Sequence, residues 1–113
     1  MIKIKRIYEK PEKSDGYRIY IDRLWARGLK KGDAKIDEWV KDIAPSNELR
    51  KWFAHDPAKW EEFKKKYGKE LRDKEEYINR IKELEKEHKT ITLLYSAKDE
   101  KYNNARALME HVK

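Results

Sequence analysis

Thr90 to Tyr95, TITLLY, is β-branched or apolar at successive positions, so both faces of a strand built from it are greasy. A strand of that kind is covered on both sides and belongs at the centre of a sheet between two layers. Two other stretches supply neighbours. Tyr17, Ile19 and Ile21 alternate with Arg18, Tyr20 and Asp22, giving one core face and one amphipathic face. Ile2, Ile4, Ile7 and Tyr8, with Lys3 and Lys5 opposite, read as a half-covered edge strand whose lysines discourage further pairing. Pro11 and the Asp15-Gly16 pair place a turn between these two strands.

Helical spacing fills the rest. Ile36, Trp39, Val40 and Ile43 fall at i, i+3, i+4, i+7 behind Asp33 as a cap, and the helix they predict ends before Pro45. Ser46 caps a short helix with Leu49, Trp52 and Phe53 inward, and Asp56-Pro57 starts the next, inward at Trp60, Phe63, Tyr67 and Leu71. Glu61 with Lys65 and Glu62 with Lys66 lace its outer face. Asp73 and Glu76 have capping-box spacing, which splits off a further helix inward at Tyr77, Ile81 and Leu84. Ala105, Leu108, Met109 and Val112 predict a last helix. A long helical crossover between the strands at 17–22 and 91–95 makes that pair parallel. The prediction is a small, single-domain, three-layer α/β fold over residues 1–113, with a short, mixed or mostly parallel sheet flanked by helices.

Composition narrows function. The 113 residues carry 45% charged side chains, a net charge of +7 and no Cys, which removes thiolate chemistry, disulfides and Cys-ligated zinc. Residues 1–56 hold 14 basic and 10 acidic groups and residues 57–113 hold 15 and 12, so the excess is +4 and +3, evenly spread. Without a basic tail or stripe, nucleic-acid binding stays the alternative reading, not the favoured one. No stretch has the length of a membrane span, and the first ten residues lack the apolar core of a signal peptide, so the expected location is cytoplasmic with no membrane partner. The absence of Gln beside abundant Lys and Glu is the bias of hyperthermophile proteins.

Ligands of open α/β sheets settle outside the carboxyl ends of the strands. There the sequence puts Asp22, Arg23 and Arg27 after one strand and Ser96, Lys98, Asp99, Asn103 and Asn104 after another. Cations, carboxylates and amides together suit a phosphate or carboxylate. Asp22 reads equally as a structural ion pair with an arginine, Asp99 as a cap of the last helix, and Trp25 as core. Arg27 beside Gly28 offers a bidentate fork to an oxyanion. His55, between aromatics and Asp56, has the chemistry to move protons near neutral pH. The three histidines have no ligand spacing and no glycine-rich phosphate loop is present, so no cofactor or metal is expected.

The segments DGYRIYIDRLWARG, WVKDIAPSNELRKWFAHDP and TLLYSAKDEKYNNA closely resemble the three signature blocks of the YeaO-like proteins (domain of unknown function 488), a bacterial and archaeal family of unknown function. The resemblance covers nearly the whole chain. It implies a small cytosolic α/β protein, and it marks Asp22, Arg23, Trp25, Arg27 and Gly28; Pro45, Ser46, Leu49, Arg50, Trp52, His55 and Pro57; and Tyr95, Asp99, Asn103, Asn104 and Ala105. Ala26 stands where the family usually has Pro, and Tyr102 where it commonly has His, which argues against required proton transfer there. The resulting expectation is a binding protein or enzyme for an anionic small molecule such as a nucleotide or phosphate ester. Arg23, Arg27, Ser46, Arg50, Lys98, Asn103 and Asn104 would bind, and His55, Asp99 and Asp22 would serve as acid or base. A non-catalytic interaction module is the other alternative.

Overall fold

A computed structural model describes all 113 residues. Four parallel strands, β1 (Ile2–Arg6), β2 (Tyr17–Tyr20), β3 (Glu38–Trp39) and β4 (Ile91–Tyr95), lie in the order β1-β4-β2-β3. TITLLY is central, as its two-sided apolar pattern demands, and every residue of β4 is buried. The sheet is parallel throughout, so all four strands deliver their chain ends to the same side.

The two faces are covered unequally. Ile91, Leu93, Tyr95, Ile19 and Ile21 face a large core built by α2 (Asn47–Phe53), α3 (Trp60–Arg72), α4 (Glu75–His88) and α5 (Asn104–Val112). The opposite face, with Tyr20 and Leu94, is covered by Ile7, Ala26, Trp25, Leu29 and Trp39 around the one-turn helix α1 (Lys31–Ala34). Layers therefore flank the sheet on both sides, but the second is a packed loop with four helical residues, not a pair of full helices.

The helix expected from Asp33 to Ile43 does not form. Asp33 lies inside α1, Lys35 stops that turn in the left-handed conformation at φ 48°, and Glu38–Trp39 pair with Ile19 and Tyr20 as the edge strand β3. Its apparent helical spacing has another origin: Ile36 and Trp39 pack on the second face, whereas Val40 and Ile43 pack into the main core. The chain crosses the sheet edge between Trp39 and Val40.

Other boundaries follow local chemistry. The Ser46 hydroxyl accepts from the Leu49 N–H, and the Asp56 carboxylate from the Ala58 N–H ahead of Pro57. The split between α3 and α4 falls at Asp73–Lys74, but Lys74 takes the cap position, so no Asp73–Glu76 box forms. Tyr77 packs half-buried against the main core with its hydroxyl reaching Asp42 at 3.3 Å, and Ile78 joins Ile81 and Leu84 as a buried residue of α4. Lys64, not Lys65 or Lys66, carries the ion pairs of α3, with Glu61 at 3.3 Å and Glu110 at 3.4 Å. No helix is long and apolar enough to cross a membrane.

Candidate functional site

A cleft of about 680 Å³ opens at the carboxyl ends of the strands. Nine of the ten residues picked from the sequence line it: Asp22, Arg23, Arg27, Arg50, His55, Lys98, Asp99, Asn103 and Asn104. Three chain segments converge because the parallel sheet brings the ends of β2 and β4 side by side, while α2 overhangs from the helical layer.

Ser46 is the exception. Its N–H and hydroxyl donate to the two oxygens of Glu70 at 2.8 and 2.6 Å while the same hydroxyl caps α2. Both of its donors are used in fastening α2 to α3, and it stands outside the cleft.

Asp22 has no arginine partner. One carboxylate oxygen accepts from the Ser96 N–H at 3.0 Å and hydroxyl at 2.6 Å, and the other from the Asn104 amide at 2.9 Å. The Asp22 carbonyl also accepts from the Trp39 indole at 2.7 Å. This residue stitches the ends of β2, β3 and β4 to the start of α5. Burial and the Asp22 charge together push the Tyr20 phenol up, and its proton is given to the Leu24 carbonyl at 2.7 Å. Substitution of Asp22 by Ala leaves the Ser96 and Asn104 donors unpaired in a half-buried place. The expected loss is about 2–4 kcal/mol, read by urea unfolding. A loss within about 0.5 kcal/mol would show that these bonds do not hold the cleft together.

Asn103, not Asp99, caps α5, accepting from the Arg106 N–H at 2.9 Å and donating to the Asp99 carbonyl at 3.0 Å. It is buried, with both its amide oxygen and its amide nitrogen bonded within the protein. Asp99 closes the preceding turn: one oxygen accepts from the Lys101 and Tyr102 N–H groups at 2.8 and 3.0 Å. Those two backbone bonds hold its carboxyl below the usual carboxylate range, with the nearby His55 adding to the effect. Its second oxygen makes no bond within the protein.

The cations of the cleft are free. Arg27, Arg50 and Lys98 donate to no protein acceptor, and Arg23 has only a long contact of 3.5 Å to the Ala44 carbonyl. Lys74 donates to that same carbonyl at 3.0 Å, and burial together with the Arg23 charge pushes its ammonium below its ordinary value. The protein's ion pairs lie elsewhere, on Lys5, Arg18, Lys64, Arg80 and the amino terminus.

His55 owes its position to backbone geometry. Ala54 and His55 are both left-handed, at φ 47° and 56°, so the chain reverses sharply after α2 and sets the imidazole over the cleft beside Phe53. Two consecutive non-glycine residues in that region store strain of about 1–3 kcal/mol each.

Sequence reasoning missed the apolar part of the wall. Tyr8, Leu24, Phe53, Phe63, Ala97 and Tyr102 line the same space. Applying the strand-end rule to the first strand as well as the other two would have found Tyr8. Trp25 turns its indole to the Leu29 carbonyl at 2.6 Å and packs on Tyr20 and Trp39, so it is chiefly part of the second core.

Comparison with known proteins gives a family and near relatives. The family model described as the inactive DUF488-N3 subclade matches residues 1–113. The uncharacterized protein YeaO of Escherichia coli K12 is 45% identical over 109 residues, 96% of this chain and 94% of that protein. The uncharacterized protein Rv3073c of Mycobacterium tuberculosis H37Rv is 42% identical over 72 residues, 64% of this chain and 61% of that protein. No solved structure matches.

Proposed function

We propose, from the premise that this chain belongs to the YeaO-like DUF488 family and its inactive DUF488-N3 subclade, that it binds an anionic small molecule, a phosphate ester or nucleotide, and leaves it unchanged. The carrying observation is an unbalanced wall. Arg23, Arg27, Arg50 and Lys98 face Asp22 and Asp99, four cations against two anions, a formal charge of +2 with His neutral. None of the four cations is in an ion pair with a carboxylate. In a concave site with apolar walls, that charge concentrates at the cleft and draws an anion.

Binding without turnover fits the groups that would have to move protons. Asp22 already accepts from Ser96 and Asn104, and one oxygen of Asp99 is committed to its turn. The description of the subclade as inactive agrees with that arrangement. His55 then serves as one more donor to the anion.

Arg50 provides the test, because it is exposed on α2 and its guanidinium holds nothing together. Arg50→Ala is expected to leave the unfolding free energy within about 0.5 kcal/mol of the parent. The same change should weaken the binding of ribose 5-phosphate, measured by calorimetry at low ionic strength, about tenfold or more, the value of a charge-assisted hydrogen bond. Equal affinity in parent and variant, or no binding by either, would overturn the reading.

A further inference from the structure

We infer that the cleft is shaped for a nucleoside monophosphate, with the base on a ledge made by Tyr8 and Leu24, and that Asp99 discriminates against di- and triphosphates. This rests on the anion-binding reading above and adds to it what the rest of the wall recognises.

The ledge is the first observation. Apart from the terminal Met1, the large apolar side chains left exposed are Tyr8 at 42% and Leu24 at 67%, and both line the cleft. A single exposed Leu is ordinary on any surface. Two such groups meeting in one concave site, in a protein of mean hydropathy −1.18, are not scattered.

Tyr8 is also held still. Its hydroxyl donates to the Arg27 carbonyl at 2.8 Å, and the Arg6 guanidinium lies 5.1 Å from its ring centroid. Arg6 is itself fixed by the Ala97 carbonyl at 2.8 Å and the Ser96 carbonyl at 3.5 Å. A ring anchored at its tip and along its face costs little entropy when a planar ligand stacks on it. The hydrogen bond to Arg27 also sets the ledge directly beside a cation of the phosphate-binding wall.

Charge count is the second observation. The formal +2 of the wall balances the two negative charges of a phosphate monoester, whereas a triphosphate brings about four. Asp99 decides where further charge is refused. Its outer oxygen, without a protein partner, accepts from a sugar hydroxyl or an amino group and repels an additional phosphate. The cleft's volume of about 680 Å³ lies within the range of small-molecule sites, so ring, sugar and one phosphate fit together.

Calorimetric titration at low ionic strength with inorganic phosphate, ribose 5-phosphate, adenosine, AMP and ATP tests both parts. AMP should bind about tenfold more tightly than ribose 5-phosphate, the advantage due to stacking, and ATP no more tightly than AMP. Tyr8→Ala should bring the affinities for AMP and ribose 5-phosphate to the same value, erasing the advantage of AMP. Asp99→Asn keeps the oxygen that closes the turn, so the variant folds, and it should make ATP the tighter ligand.

Equal affinities for AMP and ribose 5-phosphate in the parent would overturn the ledge while leaving the anion site standing. ATP binding the parent more tightly than AMP would overturn the role of Asp99. If adenosine bound as well as AMP, or no phosphate compound bound, the anion-binding reading itself would fall and this inference with it.

Discussion

Gly16→Ala is expected to cost about 3–5 kcal/mol, a large share of the stability of a domain this size. Gly16 sits at φ 65°, ψ −136°, a region that side chains rarely adopt, which alone costs about 1–3 kcal/mol. A methyl group there would also stand 2.1 Å from the Thr90 carbonyl oxygen and 2.8 Å from its carbon. That oxygen is backbone, and it accepts from the Tyr17 N–H at 3.0 Å in the first rung between β2 and β4. Relief of the clash therefore pulls the central strands apart at their start. The expected fall in Tm is about 15–30 °C.

Two other glycines calibrate this expectation. Gly28 has φ 77° with open space around it, so Gly28→Ala carries only the backbone cost, about 1–2 kcal/mol. Gly32 lies within α1, has open space and no positive φ, so Gly32→Ala should be neutral or stabilising by up to about 1 kcal/mol. Urea unfolding of the three variants should rank them Gly16, Gly28, Gly32 in order of loss. A Gly16 variant no worse than the Gly28 one would show that Thr90 moves aside freely.

The legible parts of this fold are those in which one residue pattern has one physical explanation. TITLLY could be only a doubly covered strand, and Ser46 and Asp56-Pro57 could be little else than helix starts. Glu38–Trp39 was illegible because a two-residue edge strand leaves no period, and because the apolar residues around it divide between two cores on opposite faces of the sheet. The cleft was legible through the strand-end rule, since that rule depends on topology and not on side-chain detail. Ser46 was misplaced because its partner Glu70 lies 24 residues away on another helix, and nothing local announces that bond. Leu24 went unremarked between Arg23 and Trp25 because an apolar residue in a loop carries no period from which to read its direction.

The sheet's two ends handle charge in opposite ways, and the contrast yields the second large effect. At the carboxyl end four cations stand without carboxylate partners; at the amino end charges are buried and matched. Asp15 and Arg18 are each only 4% exposed and form an ion pair, with the Lys5 ammonium 3.1 Å from the same carboxylate. Arg18 also donates to the Ala34 carbonyl at 2.8 Å and the Lys35 carbonyl at 3.1 Å, fastening the second layer to β2. Asp15→Ala leaves the buried Arg18 guanidinium with no carboxylate, and leaves Lys5 only the exposed Glu12 carboxylate at 2.9 Å. The expected loss is about 3–5 kcal/mol, the cost of breaking one side of a buried pair.

The pH dependence identifies the cause. Burial alone would push the Asp15 carboxyl up, but the Glu12 N–H and the Lys5 and Arg18 side chains outweigh it and hold the carboxyl below its ordinary range. A carboxyl depressed in the folded state stabilises fully above its unfolded pKa of about 3.9, and that contribution fades as pH falls through the lower folded value. The difference in unfolding free energy between parent and Asp15→Ala should therefore be flat from about pH 5 to pH 8 and shrink steadily below about pH 4. Arg18→Met should be similarly damaging by itself, because it leaves the buried carboxylate to Lys5 and the Glu12 N–H alone and takes the donors away from the Ala34 and Lys35 carbonyls. Combined with Asp15→Ala it should cost clearly less than the sum of the two single losses, since the partners are removed together. A difference that stayed constant down to pH 2, or strictly additive losses, would mean that packing and not the ion pair accounts for the effect.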